Sequence, residues 1–366
     1  MTHNQDAAQS LPGPIVLLGS GETAANVQRV YTWLYRHFET PVNIAILETP
    51  AGFQPNAEAV AQDVADYIAK RLVNFSPQIE LVAGRRRDSA NAAASTDNPD
   101  VITPLWYADV LMAGPGSPTY AVRHLRDSLA WDLLRARNRL GAGLMFSSAT
   151  TLAASTYTLP VYELYKVGED LHWQPGLNLF ADFGLSLLLV SHWNNNDGGA
   201  TLDTSRCYIG QDRFTALLKL LPPDPARTLV GIDEKTALCL DFSASRAEVV
   251  GAGGVTLMRG GSERRFAHGA HFDLAELGNF RLPDGGASIP AARWQEALDR
   301  HAAHAEQSAP PDKTPAPDEV NALVAAREKA RAARDWAAAD ALRAQIEAAG
   351  WRVTDTPDGS AVEKRV

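Results

Sequence analysis

The run Phe146-Ser147-Ser148-Ala149-Thr150-Thr151 goes from apolar to small and hydroxylated within a few residues, between apolar flanks. A buried strand that turns sharply into a helix has this pattern. Such a turn lifts a serine hydroxyl out of a sheet edge and aims the next backbone N–H at a developing oxyanion. Ser148 is then the candidate nucleophile. The same residues also read as a helix start at which Ser147 or Ser148 is only an N-cap. Further along, Ser191-His-Trp-Asn-Asn-Asn-Asp-Gly-Gly199 places His192 where an apolar run stops among amides and glycines. Imidazole titrates near neutrality, so His192 is suited to take the serine proton, although a lone histidine is more often structural. Cys207 is a second nucleophile to weigh, but it lies outside any elbow and reads more naturally as a buried apolar residue. His268 and His271 have no third ligand at metal-site spacing, so neither a metal nor a cofactor is expected.

These groups need a scaffold, and the pattern of apolar runs supplies one. Strands are expected at 14–18, 42–47, 79–83 and 109–113, alternating with helices at 24–38, 57–73 and 119–125. That alternation predicts an α/β fold with a doubly wound, mostly parallel sheet. The loops after the strands, starting at Gly19, Thr49, Gly84, Gly114 and Ser147, should meet at one edge. Two of them carry glycine where backbone would have to approach a ligand. Gly19-Ser-Gly-Glu-Thr23 places Gly19, Ser20 and Glu22 as candidate substrate contacts, without the full spacing of a dinucleotide site. Gly114-Pro-Gly-Ser-Pro118 offers Ser117 to substrate and the Gly116 N–H as a partner for that of Ala149 in an oxyanion hole. Plain strand-to-helix turns fit both loops about as well. Downstream, 185–190 reads as a strand, 212–221 as a helix, 228–240 as a strand pair, and 248–250 with 255–258 as a hairpin.

Composition sets the outer bounds. The 366 residues are 45% apolar and 21% charged, with net charge −9 and two cysteines. A sizeable core is affordable, and one large domain with an appendage is expected. The acidic balance argues against a broad nucleic-acid surface. No apolar run is long enough for a membrane span, the N-terminus lacks a signal peptide, and reduced thiols fit a cytoplasmic protein. Residues 307–317 read as a Pro- and Ala-rich linker between a main domain, 1–306, and a helical C-terminal domain, 318–366. Helices are expected there at 317–333 and 336–349, with a short hairpin after them. The segment has eight Lys or Arg against nine Asp or Glu from Asp318 to Val366 and is basic only at Arg327, Lys329, Arg331 and Arg334.

Two resemblances sharpen this reading. Residues 14–280 resemble the serine peptidases of the cyanophycinase and dipeptidase E family, which have the class I glutamine amidotransferase-like, flavodoxin-like fold. The matching features are Gly114-Pro-Gly-Ser117, the elbow at Ser148-Ala149, the His192 strand end and, most specifically, Val230-Gly-Ile-Asp-Glu-Lys-Thr-Ala-Leu238. The resemblance implies Ser148 as nucleophile, His192 as base, and Gly116 with Ala149 as oxyanion hole. Phe146 and Thr150 stand where that family carries glycines. Its carboxylate position falls nearest Thr158, which leaves Glu163 as the acidic substitute; alternatively, Glu163 and Lys166 bind substrate. Trp193 and Asn194, beside the histidine, are also expected to face substrate. The C-terminal segment, through Ala339-Asp-Ala-Leu-Arg343 and Asp355-Thr-Pro-Asp-Gly359, is similar to the small helical C-terminal domain of cysteinyl-tRNA synthetases. With no synthetase signature elsewhere, the chain is not expected to charge tRNA. The resulting expectation is an amide- or peptide-bond hydrolase for a small molecule or short peptide. The competing one is a non-catalytic binding protein whose tail contacts tRNA or a translation partner, and a homodimer is a further expected partner.

Overall fold

The computed structural model describes residues 11–87, 92–308, 316–356 and 359–364. The chain forms two compact units, Met1–Arg300 and His301–Val366.

In the first unit, β1 (Ile15–Leu18), α1 (Gln28–Tyr35), β2 (Asn43–Leu47), α2 (Ala57–Arg71), β3 (Gln78–Val82) and β4 (Val110–Ala113) follow the expected alternation. After them come α3 (Pro118–Leu125), α4 (Leu129–Arg139), β5 (Gly143–Ser147) and the short α5 (Ala149–Ala153). β1, β5, β4, β2 and β3 pair in parallel, in that order. Their apolar residues alternate between the two faces of the sheet. Ile15, Leu17, Leu111, Leu144 and Phe146 enter one core, while Val16, Leu18, Ile44, Ile46, Met112 and Met145 enter the other. A sheet covered on both faces requires such near-continuous apolar strands, which is why this part of the fold is visible in the sequence. The pairing Leu18↔Ser147 brings the carboxyl ends of β1 and β5 level, so their loops share one edge.

Beyond α5 the architecture departs from a single wound sheet. Two short strands, β6 (Tyr157–Thr158) and β7 (Gln174–Pro175), precede β8 (Ser186–Val190), α6 (Gln211–Leu218), β9 (Arg227–Ile232) and β10 (Thr236–Asp241). β11 (Arg246–Gly251), β12 (Gly254–Arg259), β13 (Ser262–Ala267) and β14 (His271–Asp273) complete the unit's strands. β10, β11 and β14 extend the large sheet in antiparallel fashion, giving eight strands. β8, β9, β12 and β13 instead form a second, four-stranded sheet. The strands expected as a pair within 228–240 are therefore not partners, because the chain leaves one sheet for the other at residues 233–235. The hairpin expected between 248–250 and 255–258 is not formed either, since β11 and β12 lie in different sheets. Its glycines serve the return crossing: Gly251 has φ +149°, and a Cβ on Gly253 would collide with the side chain of Asp233.

The helix α7 (Ala291–Ser308) occupies the start of the stretch expected as a linker, and residues 309–315 lie outside the described set. The second unit holds α8 (Asp318–Ala332), α9 (Trp336–Ala348) and a hairpin of β15 (Trp351–Thr356) and β16 (Gly359–Lys364), around Val320, Val324, Ile346, Trp351 and Val353. Asp335 caps α9 by accepting the Ala338 N–H, and Gly350 at φ +84° ends that helix by supplying the left-handed turn.

Candidate active site

The passage from β5 to α5 is sharp. Ser148 has φ 48° and ψ −106°, a conformation that a non-glycine residue adopts only at a cost of about 1–3 kcal/mol. Its N–H donates to the Leu18 carbonyl at 3.0 Å, which fixes the turn to the end of β1. The neighbouring threonines brace the same turn with their hydroxyls. Thr150 Oγ1 donates to Gly114 O at 2.8 Å, and Thr151 Oγ1 bonds Leu18 O and Phe146 O, each at 3.0 Å. Phe146 is fully buried and stacks on Trp131, pointing away from the turn. The bulk that replaces glycine at Phe146 and Thr150 thus goes into the core and into hydrogen bonds rather than into the elbow.

His192 follows β8 and also takes a positive φ, 49°. Its carbonyl accepts the N–H groups of Asn195 and Cys207, each at 3.1 Å. The imidazole Nε2 lies 2.8 Å from Ser148 Oγ, and Nδ1 lies 2.7 Å from Glu234 Oε1. With a carboxylate at Nδ1, that nitrogen carries the proton and Nε2 is free to accept the serine O–H. Glu234 sits in the crossing between the two sheets. Its N–H donates to Asn194 Oδ1 at 2.8 Å, and its Oε1 also accepts Asn195 Nδ2 at 2.9 Å. The hydrogen bond from His192 holds the Glu234 carboxyl below the usual carboxylate range; partial burial opposes this, while the Asn195 amide adds to it. The preceding residue, Asp233, is fully buried and anchors the crossing to the Gly254 N–H and the Arg265 guanidinium.

Glu163 does not hold the role expected for it. Its Oε1 accepts the Thr119 hydroxyl at 2.6 Å, and Thr119 in turn bonds Ser117 Oγ at 2.9 Å. The reason is topological: Glu163 lies on the π-helical turn Glu163–Val167, against the start of α3, whereas Nδ1 of His192 faces the sheet crossing.

Ser148 and His192 open into a cavity of about 420 Å³. Gly116, Ala149 and Lys166 line it, together with Leu152, Val161, Tyr162, Tyr165, Asp197, Cys207 and Tyr208. Gly116 has φ +149°, and a Cβ there would collide with the Pro50 carbonyl, so only glycine fits this loop. Tyr208 stands 5.4 Å from the His192 ring, and burial together with the neighbouring Asp197 carboxylate raises its phenol above the usual range. Burial pushes the Cys207 thiol up to about 12, which removes it as a thiolate nucleophile near neutral pH.

The other expected substrate contacts do structural work outside this cavity. Gly19 packs against the Asp233 carbonyl, and Ser20 O accepts the Lys235 N–H. Ser117 caps α3 by accepting the Tyr120 N–H. Trp193 is buried between the Arg206 guanidinium, 3.8 Å from its ring, and the edge of Phe214. Asn194 holds the Glu234 backbone, and Glu22 borders a separate small cavity beside Glu48 and Ser147. Glu234, Asn195, Asp197 and the three tyrosines were not anticipated from the sequence. The signal for Glu234 was present in Val230-Gly-Ile-Asp-Glu-Lys-Thr-Ala-Leu238, where three consecutive charged residues separate two apolar strands. Among the described residues no cluster of His, Cys, Asp or Glu could hold a metal ion.

Comparison with known proteins bears on both units. Residues 314–362 match the cysteinyl-tRNA ligase anticodon binding domain. Cysteine–tRNA ligase 1 of Burkholderia lata is 54% identical over 43 residues, 12% of this chain and 9% of that protein. The cysteine–tRNA ligase of Symbiobacterium thermophilum is 41% identical over 92 residues, 24% of this chain and 19% of its own. This chain therefore spans between about a tenth and a fifth of the length of these relatives. The crystal structure of a peptidase from an acI-B1 actinobacterium superposes with a TM-score of 0.57 at 20% identity, covering 72% of this chain and 98% of that one. The first unit thus shares the α/β fold of that peptidase structure, and residues 314–362 are similar to the cysteinyl-tRNA ligase anticodon binding domain. No helix among the described residues is long and apolar enough to cross a membrane.

Proposed function

We propose that the first unit hydrolyses amide or peptide bonds of small substrates through an acyl-enzyme on Ser148. The observation that carries this reading is the unbroken chain Ser148 Oγ, His192 Nε2, His192 Nδ1, Glu234 Oε1, at 2.8 and 2.7 Å, opening into a cavity. As Ser148 Oγ attacks the substrate carbonyl carbon, His192 takes the hydroxyl proton and Glu234 stabilises the imidazolium. The carbonyl oxygen becomes an oxyanion beside the N–H groups of Ala149, at the unbonded start of α5, and of Gly116. Collapse breaks the C–N bond, and His192 passes its proton to the leaving amine. Water then attacks the ester with His192 as base, releasing the acid and restoring Ser148. A cavity of this volume, lined by both Lys166 and Asp197, suits a short peptide or similar small amide. A fluorophosphonate probe should label Ser148 in the wild type and leave Ser148→Ala unmodified; a wild type that stays unlabelled after prolonged exposure would sink the reading.

For the C-terminal unit, the match over residues 314–362 supports contact with tRNA. Trp336, 59% exposed at the start of α9, offers a face on which a base can stack, and Arg334 lies two residues before it, beyond Asp335. With eight basic against nine acidic residues in this segment, binding should be weak and strongly salt-dependent. Retention of labelled tRNA at low salt, reduced in Trp336→Ala, is the expected result; no retention by the full chain at low salt would remove this second reading.

A further inference from the structure

Three aromatic rings from three separate segments meet beside the cavity. Phe53, just after the turn Thr49–Ala51 that ends β2, is 48% exposed. Its ring lies 5.4 Å from Tyr120 of α3 and 6.4 Å from Tyr162, which is 39% exposed. Tyr162 is also a wall of the cavity, so the cluster is continuous with it. The cluster is held in register with the reacting centre. Pro50, on the turn before Phe53, accepts the Ser117 N–H at 2.9 Å, and its carbonyl packs against Gly116. The Phe53 side chain thus stands on a backbone tied directly to one arm of the oxyanion hole. Large exposed rings grouped next to a polar reacting centre mark a place where apolar surface is to be covered.

We infer that Phe53, Tyr120 and Tyr162 form an apolar subsite that takes a large aliphatic or aromatic side chain of the substrate, on a residue adjoining the bond held at Ser148. This rests on the hydrolase reading for its role in turnover. The binding preference itself depends only on the rings. Stacking and burial on an open ledge of this kind are worth roughly five- to tenfold in affinity over alanine.

The test separates the two claims. Calorimetry on Ser148→Ala protein should show N-acetyl-phenylalanine amide binding about fivefold or more tighter than N-acetyl-alanine amide. Adding Phe53→Ala should cut that ratio to below about twofold, whereas Phe53→Leu should keep most of it. Because Phe53 is half exposed, these changes leave the core intact. Equal affinity for the two amides, or a ratio unchanged by Phe53→Ala, overturns the subsite whatever Ser148 does. Selective binding together with a wild-type Ser148 that resists the fluorophosphonate keeps the subsite and removes the hydrolase reading. A Phe53-dependent dimer seen by light scattering, without amide selectivity, would assign the ledge to a second copy of the chain and overturn the proposal.

Discussion

The sheet crossing at residues 233–235 and the turn Glu163–Val167 each bring a carboxylate close to the cavity, and they use it differently. At the crossing, Glu234 is held from both sides: Asn194 fixes its backbone, Asn195 and His192 donate to its carboxylate, and buried Asp233 anchors the strand end behind it. At the turn, Glu163 accepts one hydroxyl, from Thr119, and its other oxygen is buried without a partner. A carboxylate can orient a base only if it reaches the ring nitrogen that the nucleophile leaves free. Glu234 does so because the chain changes sheets directly behind His192. Glu163 instead braces the loop that presents Gly116, through Thr119 and Ser117.

This contrast is best broken by exchanging the two losses. Glu234→Gln keeps the size of the side chain but removes the charge that favours the imidazolium and the required tautomer, so kcat should fall by about 10³-fold or more with little change in KM. Asn195→Ala removes one donor to Glu234 and the acceptor that holds the Asp197 N–H, and roughly tenfold is expected there, again in kcat. Glu163→Ala releases Thr119 and should cost about three- to tenfold through a less well placed oxyanion loop, while Glu163→Gln, which retains an acceptor oxygen, should recover most of it. If the Glu163 variants lost as much as Glu234→Gln, the assignment of roles to these two regions would be wrong.

The same contrast explains what could be read from the sequence. Ser148 and His192 are local signals: each ends an apolar strand, and small or amide residues mark the turn. The parallel half of the large sheet was legible because its strands are buried on both faces and so run continuously apolar. The partner of His192 was not, because its position depends on β9 and β10 lying in different sheets. Two apolar strands joined by Asp233-Glu234-Lys235 have the pattern of a hairpin, and nothing in their periodicity announces a crossing. The glycines between 250 and 255 fit a turn between paired strands, but they serve close approach in the return to the second sheet: a Cβ would collide with the Lys235 carbonyl at Gly251, with the Asp233 side chain at Gly253 and with the Phe266 carbonyl at Gly254. The cavity walls Tyr162 and Tyr165 come from a short π-helical turn and Tyr208 from a loop, too brief to show a period, and Lys166 is implied only by family resemblance.

Cys207 offers a finer test of the site as drawn. It lines the same cavity as Ser148 and His192, yet burial pushes its thiol up to about 12. At pH 7 the thiol therefore stays protonated. Iodoacetamide at neutral pH should leave both Cys207 and any Ser148-dependent hydrolysis unchanged over an hour, with mass spectrometry reading the modification. Rapid alkylation accompanied by loss of turnover would instead point to the thiol.

The smallest expected effect concerns stability. In the folded chain the bond from His192, more than any other influence, keeps the Glu234 carboxyl below its usual range, with burial working against it. A carboxyl whose folded value lies below its unfolded one, about 4.3, contributes stability above that unfolded value and loses it as pH falls through the folded value. The charged form is the one that folding favours. Wild type should therefore exceed Glu234→Gln in denaturant midpoint most clearly near neutral pH, and the gap should close as the pH drops below about 4. Since the carboxylate is only partly buried, the gap should be modest and should shrink in salt. Matched denaturant titrations at pH 7 and pH 3.5 measure it. A gap that widened on acidification would mean that folding favours the protonated carboxyl, which is incompatible with Glu234 as the charged partner of His192 and would move the orienting role elsewhere in the cavity.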